Sequence, residues 1–433
     1  MSSSLIHGQV RTPIKRLTFG IMFGYACMMI ALVTPAMLLL TFKMMEIDPN
    51  GYTYSFGLVA SIGALFALIG NPLGGAISDR TNIAFGRRRT WIVIGPLIGS
   101  VTLLWVGMAT EIWQVVVGWS IAQLFFNFGM AAFNALVPDQ VPEEKQGTTS
   151  GLLGLVAPIA IAIGMGLMTV MADAPLIMKW ALLSAIGIMG PIISVLFIKE
   201  GKIEIERVKT NQISLTEKLS RIYPSPRKFP EFTWAMLSKF LLMLGFGASA
   251  YLTVMLVNRM GYSAAEATSR VATLQIISFA CMALTSVLGG ILSDKLKKQK
   301  PFLYVSAFIM LIGTLVFAFV PDYTAFIIAT IVIGLGAGCF TAVDMALVSR
   351  ILPSKEDAAK DFGLMNIANT LPTSIVPAIA PLLLTTGGWP FFYIALAACI
   401  LFSIFTIKPL PEIGEALEEK KKCVHLDSNM KNI

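Results

Sequence analysis

Apolar runs of about twenty residues or more recur along this chain, separated by short polar breaks, and they limit its fold more than any other feature. Twelve fall near 17–42, 53–78, 90–110, 112–137, 148–171, 175–198, 232–257, 264–292, 301–320, 323–348, 362–385 and 387–407. At about 1.5 Å rise per residue, each crosses a hydrocarbon layer about 30 Å thick, with tilt absorbing any excess. Charged residues make up 13% of the 433 positions and hydrophobic ones 56%, too little charge to cover a soluble protein of this length. The expected fold is an all-α membrane protein with twelve transmembrane helices in two six-helix bundles. The many Gly and Pro residues inside the runs are tolerated where neighbouring helices satisfy the backbone. The count depends on two closely joined pairs, one around Glu111 and one at Gly387–Gly388.

Charge placement supplies an independent check. Of 33 Lys and Arg, all but Lys43, Lys179, Lys239, Arg259 and Arg270 lie in the tails and in alternate loops. Clusters at Arg80 with Arg87 to Arg89, at Lys199 to Lys228, and at Lys295 to Lys300 share one side. Lys and Arg retained on the cytoplasmic face give such a pattern, so both termini are expected there and the chain in the inner (cytoplasmic) membrane. The net charge of +8 then reflects topology, with membrane lipid as the partner and no nucleic acid. Arg11, Lys15 and Arg16 precede an apolar run longer than a signal peptide's, read as a retained first span.

The same residues exclude several chemistries. The two histidines, His7 and His425, lie in the tails, and the five cysteines show no paired spacing. No Gly-rich loop ends in Gly-Lys-Ser/Thr. No cofactor, metal or enzyme activity is expected.

The longest polar segment, 199–231, divides the chain into residues 1–198 and 232–408, with a tail at 409–433. It reads as a cytoplasmic linker, because thirty residues cannot bury a useful core. The two halves repeat. Leu73-Gly-Gly-Ala-Ile-Ser-Asp79 recurs as Leu288-Gly-Gly-Ile-Leu-Ser-Asp294, and Ala135-Leu-Val137 with Pro142 recurs as Ala346-Leu-Val348 with Pro353. Both matches end equivalent spans, which points to a duplicated six-helix unit.

After the second span the chain reads Gly70-Asn-Pro-Leu-Gly-Gly75-Ala-Ile-Ser-Asp79-Arg80, then Gly86-Arg-Arg-Arg89. This resembles the loop signature of the major facilitator superfamily. Five residues, Thr81 to Phe85, separate Asp-Arg from Gly-Arg, and this is similar to the glycoside–pentoside–hexuronide and sucrose-type branch, as is Ala135-Leu-Val-Pro-Asp139. The resemblance implies the major facilitator fold and a gating latch of Gly75, Asp79, Arg80, Gly86, Arg87, Arg88, Asp139 and, in the second half, Asp294. Lys295-Leu-Lys-Lys-Gln-Lys300 follows Asp294 without Gly-Arg, a departure from the pattern. Read from the residues alone, the glycines leave a flat helix face for close packing, and Asp79 suits a helix N-terminus or an arginine. The arginines can pair with Asp139, Glu143 or Glu144, or serve only to fix topology.

A solute path between the halves needs polar groups on apolar helices. Trp119, Gln123, Asn127 and Asn134 share one helical face. Tryptophan offers a flat surface to a ring and the amides offer donors and acceptors; bonds between helices would use the same groups. Tyr25, Thr34, Pro35 and Tyr251 would face the path if the first and seventh spans line its centre, as the resemblance implies. Gln275, Asn366 and Asn369 are further polar candidates within the spans. Pro35 can bend the first helix and free a carbonyl. Lys43, Arg259 and Arg270 can attract an anionic solute or anchor helices at the interface.

Asp344 is the sharpest signal. An ionised aspartate at mid-span costs about 2.5–3.5 kcal/mol, so it must face a cavity, hold a proton or pair with a cation. Proton coupling is one role; a fixed pair with Lys239 or Arg350 is the other. No acid lies at depth in spans one, two or four, which disfavours the sodium coupling that the resembled branch implies. The expected function is alternating-access transport of a small polar solute, a sugar or glycoside, with proton symport by a monomer. A proton-coupled exporter of amphipathic compounds and a non-transporting receptor or assembly factor are the alternatives.

Overall fold

The computed structural model describes residues 12–200, 226, 229–296, 298–351 and 358–410. Most of the 199–231 segment and both tails lie outside them, as do the structural counterparts of any expectation placed there.

Among the described residues there are eleven helical stretches: α1 (Ile14–Ile47), α2 (Tyr52–Arg80), α3 (Arg87–Met108), α4 (Ile112–Gln140), α5 (Glu143–Val170), α6 (Leu176–Phe197), α7 (Pro230–Asn258), α8 (Ala264–Leu296), α9 (Lys300–Phe319), α10 (Tyr323–Ile351), and a last stretch, Ala358–Ile407. That last stretch is broken at Gly388, whose φ of 68° is left-handed backbone that an L side chain rarely adopts. It therefore comprises α11 (358–387) and α12 (389–407), which makes twelve helices among the described residues. The other uncertain junction is equally sharp. Glu111 caps the first turn of α4, while Gln114 accepts from the backbone N–H of Glu111 at 3.2 Å. Ten helical spans among the described residues, one of them covering both α11 and α12, are long and apolar enough to cross a membrane.

Two helices are locally irregular. Pro35, lacking an N–H, opens a wide π-helical turn over Pro35–Leu39 within α1. In α7, a tight 3₁₀ turn over Gly247–Tyr251 interrupts the helix.

The described residues pack into two compact units. The first gathers those within Met1–Thr210 together with Ala250–Ile276 and Thr373–Pro381; the second gathers the remainder. The last part of α7, the start of α8 and a stretch of α11 thus pack with the first six helices. The second unit has its own apolar core, built on Phe232, Ala235 and Leu242 of α7, Leu303 and Met310 of α9, and Phe340, Val343 and Leu347 of α10.

The repeat in the sequence is a repeat in packing. Gly74 of α2 lies against the Cα of Phe128 on α4, where an added Cβ would sit 2.5 Å away. Its counterpart, Gly289 of α8, lies against the Cα of Cys339 on α10, where an added Cβ would sit 3.2 Å away. Glycine at both contacts lets two backbones meet directly, which is how helices associate without water to drive them together.

Candidate functional site

The charged loop between α2 and α3 folds into a dense ion cluster. α3 starts at Arg87 because Gly86, with φ of 108°, turns the chain sharply into its first turn. That turn presents three guanidinium groups. Arg87 Nη2 and Arg88 Nε both donate to Asp139 Oδ2 at 2.8 Å. Arg88 also pairs with Asp79 at 2.5 Å and donates to the Ser78 hydroxyl, spanning the ends of α2 and α4. The Arg88 side chain is 5% exposed and Asp79 59%, so the strong part of the network is its Asp139 side. Arg89 turns away, its guanidinium 4.4 Å from the centre of the Phe85 ring and donating to the Val195 carbonyl at 3.2 Å.

Glu200, and Thr12 and Gln140 beside it, escaped the sequence reading. Glu200 Oε2 accepts from the backbone N–H groups of Arg88 and Arg89 at 2.9 and 3.0 Å, capping α3 from a segment 112 residues away. A side chain at position 86 would strike the Glu200 carboxylate, so Gly86 also makes room for this cap. Burial pushes the Glu200 carboxyl above the usual carboxylate range; the two backbone donors and Arg87 pull the other way, and Asp139 adds to the rise. Beside it, the Thr12 hydroxyl donates to Gln140 Oε1 at 3.0 Å and accepts from the Lys199 N–H at 2.8 Å, while Gln140 Nε2 donates to the Lys199 carbonyl at 3.1 Å. The chain leaving α6 is thereby fastened to α3, α4 and the approach to α1. Nothing local marks Glu200 in the sequence, where it is the first acid of a charged segment.

The remaining latch candidates divide. Gly86, Arg87, Arg88, Asp79 and Asp139 are brought together. Arg80 is exposed at the end of α2, and Gly75, placed with the close-packing glycines, meets no atom within 4 Å of a built Cβ. It stands one position round the helix from the Gly74 contact. The side chains of Asp294, Glu143 and Glu144 lie outside the described residues.

A second charged site lies in the second unit. Lys239 Nζ and Asp344 Oδ2 are 2.7 Å apart, with both residues 5% exposed, so Lys239 is the cation that faces this aspartate.

The polar stripe on α4 serves packing as well as polarity. Trp119 is 1% exposed, its indole on Gly63 of α2, and Asn127 Nδ2 donates to the Gln123 carbonyl at 2.8 Å. Gln123 and Asn127 remain half-buried, and Asn134 is exposed. Tyr25 is half-buried with its ring 6.3 Å from that of Phe133, Gln275 is buried, Asn369 is half-buried and Asn366 exposed. These residues are not gathered into one cluster by any described contact beyond the Trp119–Gln123–Asn127 stripe.

Tyr251 instead forms a clamp within the first unit. At the end of the 3₁₀ turn its hydroxyl lies 3.2 Å from the Thr53 carbonyl and 3.4 Å from that of Pro377, and its ring packs edge-on to Phe56 at 5.1 Å. Two residues on, the Thr253 hydroxyl donates to the Met37 carbonyl inside the π turn of α1. The bend at Pro35 thus supplies a carbonyl that α7 uses. Lys43, a candidate anion attractor, is instead buried as a strut, bonded to Glu46 at 3.1 Å and to the Gly107 carbonyl at 3.0 Å. Arg270 lies over the Tyr262 ring at 4.0 Å.

Known proteins share this fold. A D-xylose-proton symporter structure aligns with a TM-score of 0.72 at 15% identity, covering 92% of this chain and 98% of that one. The nucleoside transporter NupG aligns at 0.69 and 13% identity, over 90% and 98%. In sequence, the Multidrug resistance protein MdtG of Erwinia billingiae is 35% identical over 106 residues, 24% of each chain. The Probable galactarate/D-glucarate transporter GudP of Escherichia coli is 34% identical over 122 residues, 25% of this chain and 26% of that one. The chain thus spans about a quarter of the length of the curated relatives it matches. Residues 17–283 and 268–425 match the family profile described as Major Facilitator Superfamily. With ten apolar spans of membrane-crossing length among its described residues, one of them covering two helices, and a match across nearly its whole length, the chain belongs to the major facilitator superfamily, multi-pass membrane transporters of small solutes rather than enzymes.

Proposed function

We propose that this transporter takes up a small polar solute, of the sugar or glycoside class, together with a proton, as a monomer in the cytoplasmic membrane with both termini inside. The observation that carries the reading is the Lys239–Asp344 pair. Within an apolar core such a pair is held only while both charges are present, and removing either one is costly. A proton delivered to Asp344 releases Lys239, converting protonation into a rearrangement of α7 against α10. The Arg88–Asp139–Asp79 cluster acts as the latch that holds one access state. Within the first unit, half-buried Gln123, Asn127 and Tyr25 are the polar groups offered to the solute, and Trp119, Tyr251 and Gln275 support them. The similarity to GudP, named as a probable transporter of sugar acids, favours a polar cargo.

Export of amphipathic compounds with proton exchange is the second reading, favoured by the similarity to MdtG. Counterflow in proteoliposomes separates them, with candidate solutes on one side and internal pH recorded. Uptake predicts solute-driven proton entry; export predicts proton movement opposite to a lipophilic cation. Asp344→Asn is expected to abolish proton-driven accumulation while leaving exchange measurable. Unchanged accumulation by that variant removes Asp344 from coupling.

A further inference from the structure

We infer that Lys239 is the recognition group for an organic anion, so that the carried solute is an acid whose carboxylate takes the place of Asp344 on this lysine as Asp344 takes up a proton. The inference rests on proton coupling at Asp344 and names the substrate class that such coupling requires.

Charge balance at the pair carries it. Lys239 lies nine residues into α7 from Pro230, and Asp344 lies seven residues before the end of α10 at Ile351. At 1.5 Å per residue, both sit about 10–14 Å in from the helix ends. On α7, Lys239 shares a face with Phe232, Ala235 and Leu242, three members of the apolar core; on α10, Asp344 follows Ala337 and Phe340 at helical spacing. Among the described residues, no other charged side chain of α7, α9 or α10 lies at this depth. Glu231, Lys300, Asp322 and Arg350 lie at or near helix ends, and the other ionisable side chains of α9 and α10 are Tyr304, Tyr323 and Cys339, which carry no charge.

Protonating Asp344 there leaves an ammonium group unpaired among apolar side chains, the costly half of a broken buried pair. A neutral sugar cannot make that good, since its hydroxyls bring dipoles and no charge. A carboxylate can. The exchange then balances: the empty pair carries one positive and one negative charge, and the loaded site carries the same lysine cation, the solute carboxylate and a neutral Asp344. One proton and one anion enter together, and net charge at the site is zero before and after. Proton and anion therefore favour each other's binding, and loaded and empty carriers both cross without moving net charge.

The test uses the full chain in proteoliposomes loaded with a pH-sensitive dye, with a potassium diffusion potential set at zero or about 100 mV. The probes are D-glucuronate and D-gluconate, with D-glucose and D-xylose as neutral counterparts. The carboxylates, and not the sugars, are expected to drive proton entry at one proton per solute, with initial rates changing less than about two-fold under the imposed potential. Lys239→Gln should raise the half-saturating carboxylate concentration at least ten-fold, and Lys239→Arg should retain binding. The doubly neutral Lys239→Gln/Asp344→Asn variant guards against misfolding, because it removes both charges at once; carboxylate-driven proton entry should vanish in it. Proton entry driven by a neutral sugar, with inward current, overturns the anion inference and leaves proton symport standing. Carboxylate movement without protons overturns the coupling reading itself. Absence of movement by either carboxylate also counts against the inference.

Discussion

Arg88 shows how one side chain can hold three helices. Its guanidinium bridges Asp139 and Asp79 and reaches Ser78, and its N–H is capped by Glu200. Arg88→Ala strips a largely buried cation from two carboxylates and should cost about 3 kcal/mol, read as an earlier unfolding transition in detergent. Lysine cannot replace the fork that serves several acceptors, so Arg88→Lys should recover only part of that loss. Glu200 adds pH sensitivity at the same place. Its raised carboxyl binds a proton more tightly in the cluster than when released to water, where the ordinary value is about 4.3. The stabilisation it gives the cluster is complete below that value and is lost as pH rises through the raised one. Glu200→Gln should therefore keep the cluster and flatten the pH dependence of crosslinking between cysteines placed on α2 and α4. A slope unchanged from the parent protein would remove Glu200 from this role.

Packing between elements makes its own demands. Gly74→Val places a branched side chain against the Phe128 backbone and should destabilise the α2–α4 contact by about 1–3 kcal/mol, visible in thermal unfolding. The neighbouring Gly75→Val meets open space and should leave stability unchanged; a fall in transport by that variant would mean that Gly75 packs in the other access state. Tyr251→Phe removes the hydroxyl between the Thr53 and Pro377 carbonyls while keeping the Phe56 stack, a loss of about 1–2 kcal/mol. We expect faster alkylation of a cysteine placed at Thr53, and an unchanged rate would sink the clamp. The helices themselves were legible from apolar length, down to the two junctions on which their count depended. Which face of each helix packs was less so. Membrane-embedded helices are apolar all round, leaving glycine as the main pointer, and Gly74 and Gly75 cannot be told apart until α4 is in place.

For the whole molecule, we propose from the basic clusters that the 199–231 segment and both termini lie in the cytoplasm. A cysteine at position 211 should react with an impermeant maleimide only in inverted vesicles; labelling from outside the cell would overturn this placement. Sequence alone determined the class of this protein, because apolar length, charge alternation and the repeated Gly-Gly/Ser-Asp segment are properties of the chain order itself. It also marked Asp344 and Arg87 to Arg89, since a charge among apolar residues stands out without coordinates. Only tertiary structure decided their partners. Glu200 reaches α3 across 112 residues, Asp344 meets Lys239, and Tyr251 spends its hydroxyl on backbone carbonyls of two other helices. Such pairings follow from which helix faces meet, and in an apolar chain the faces are set by contact with one another.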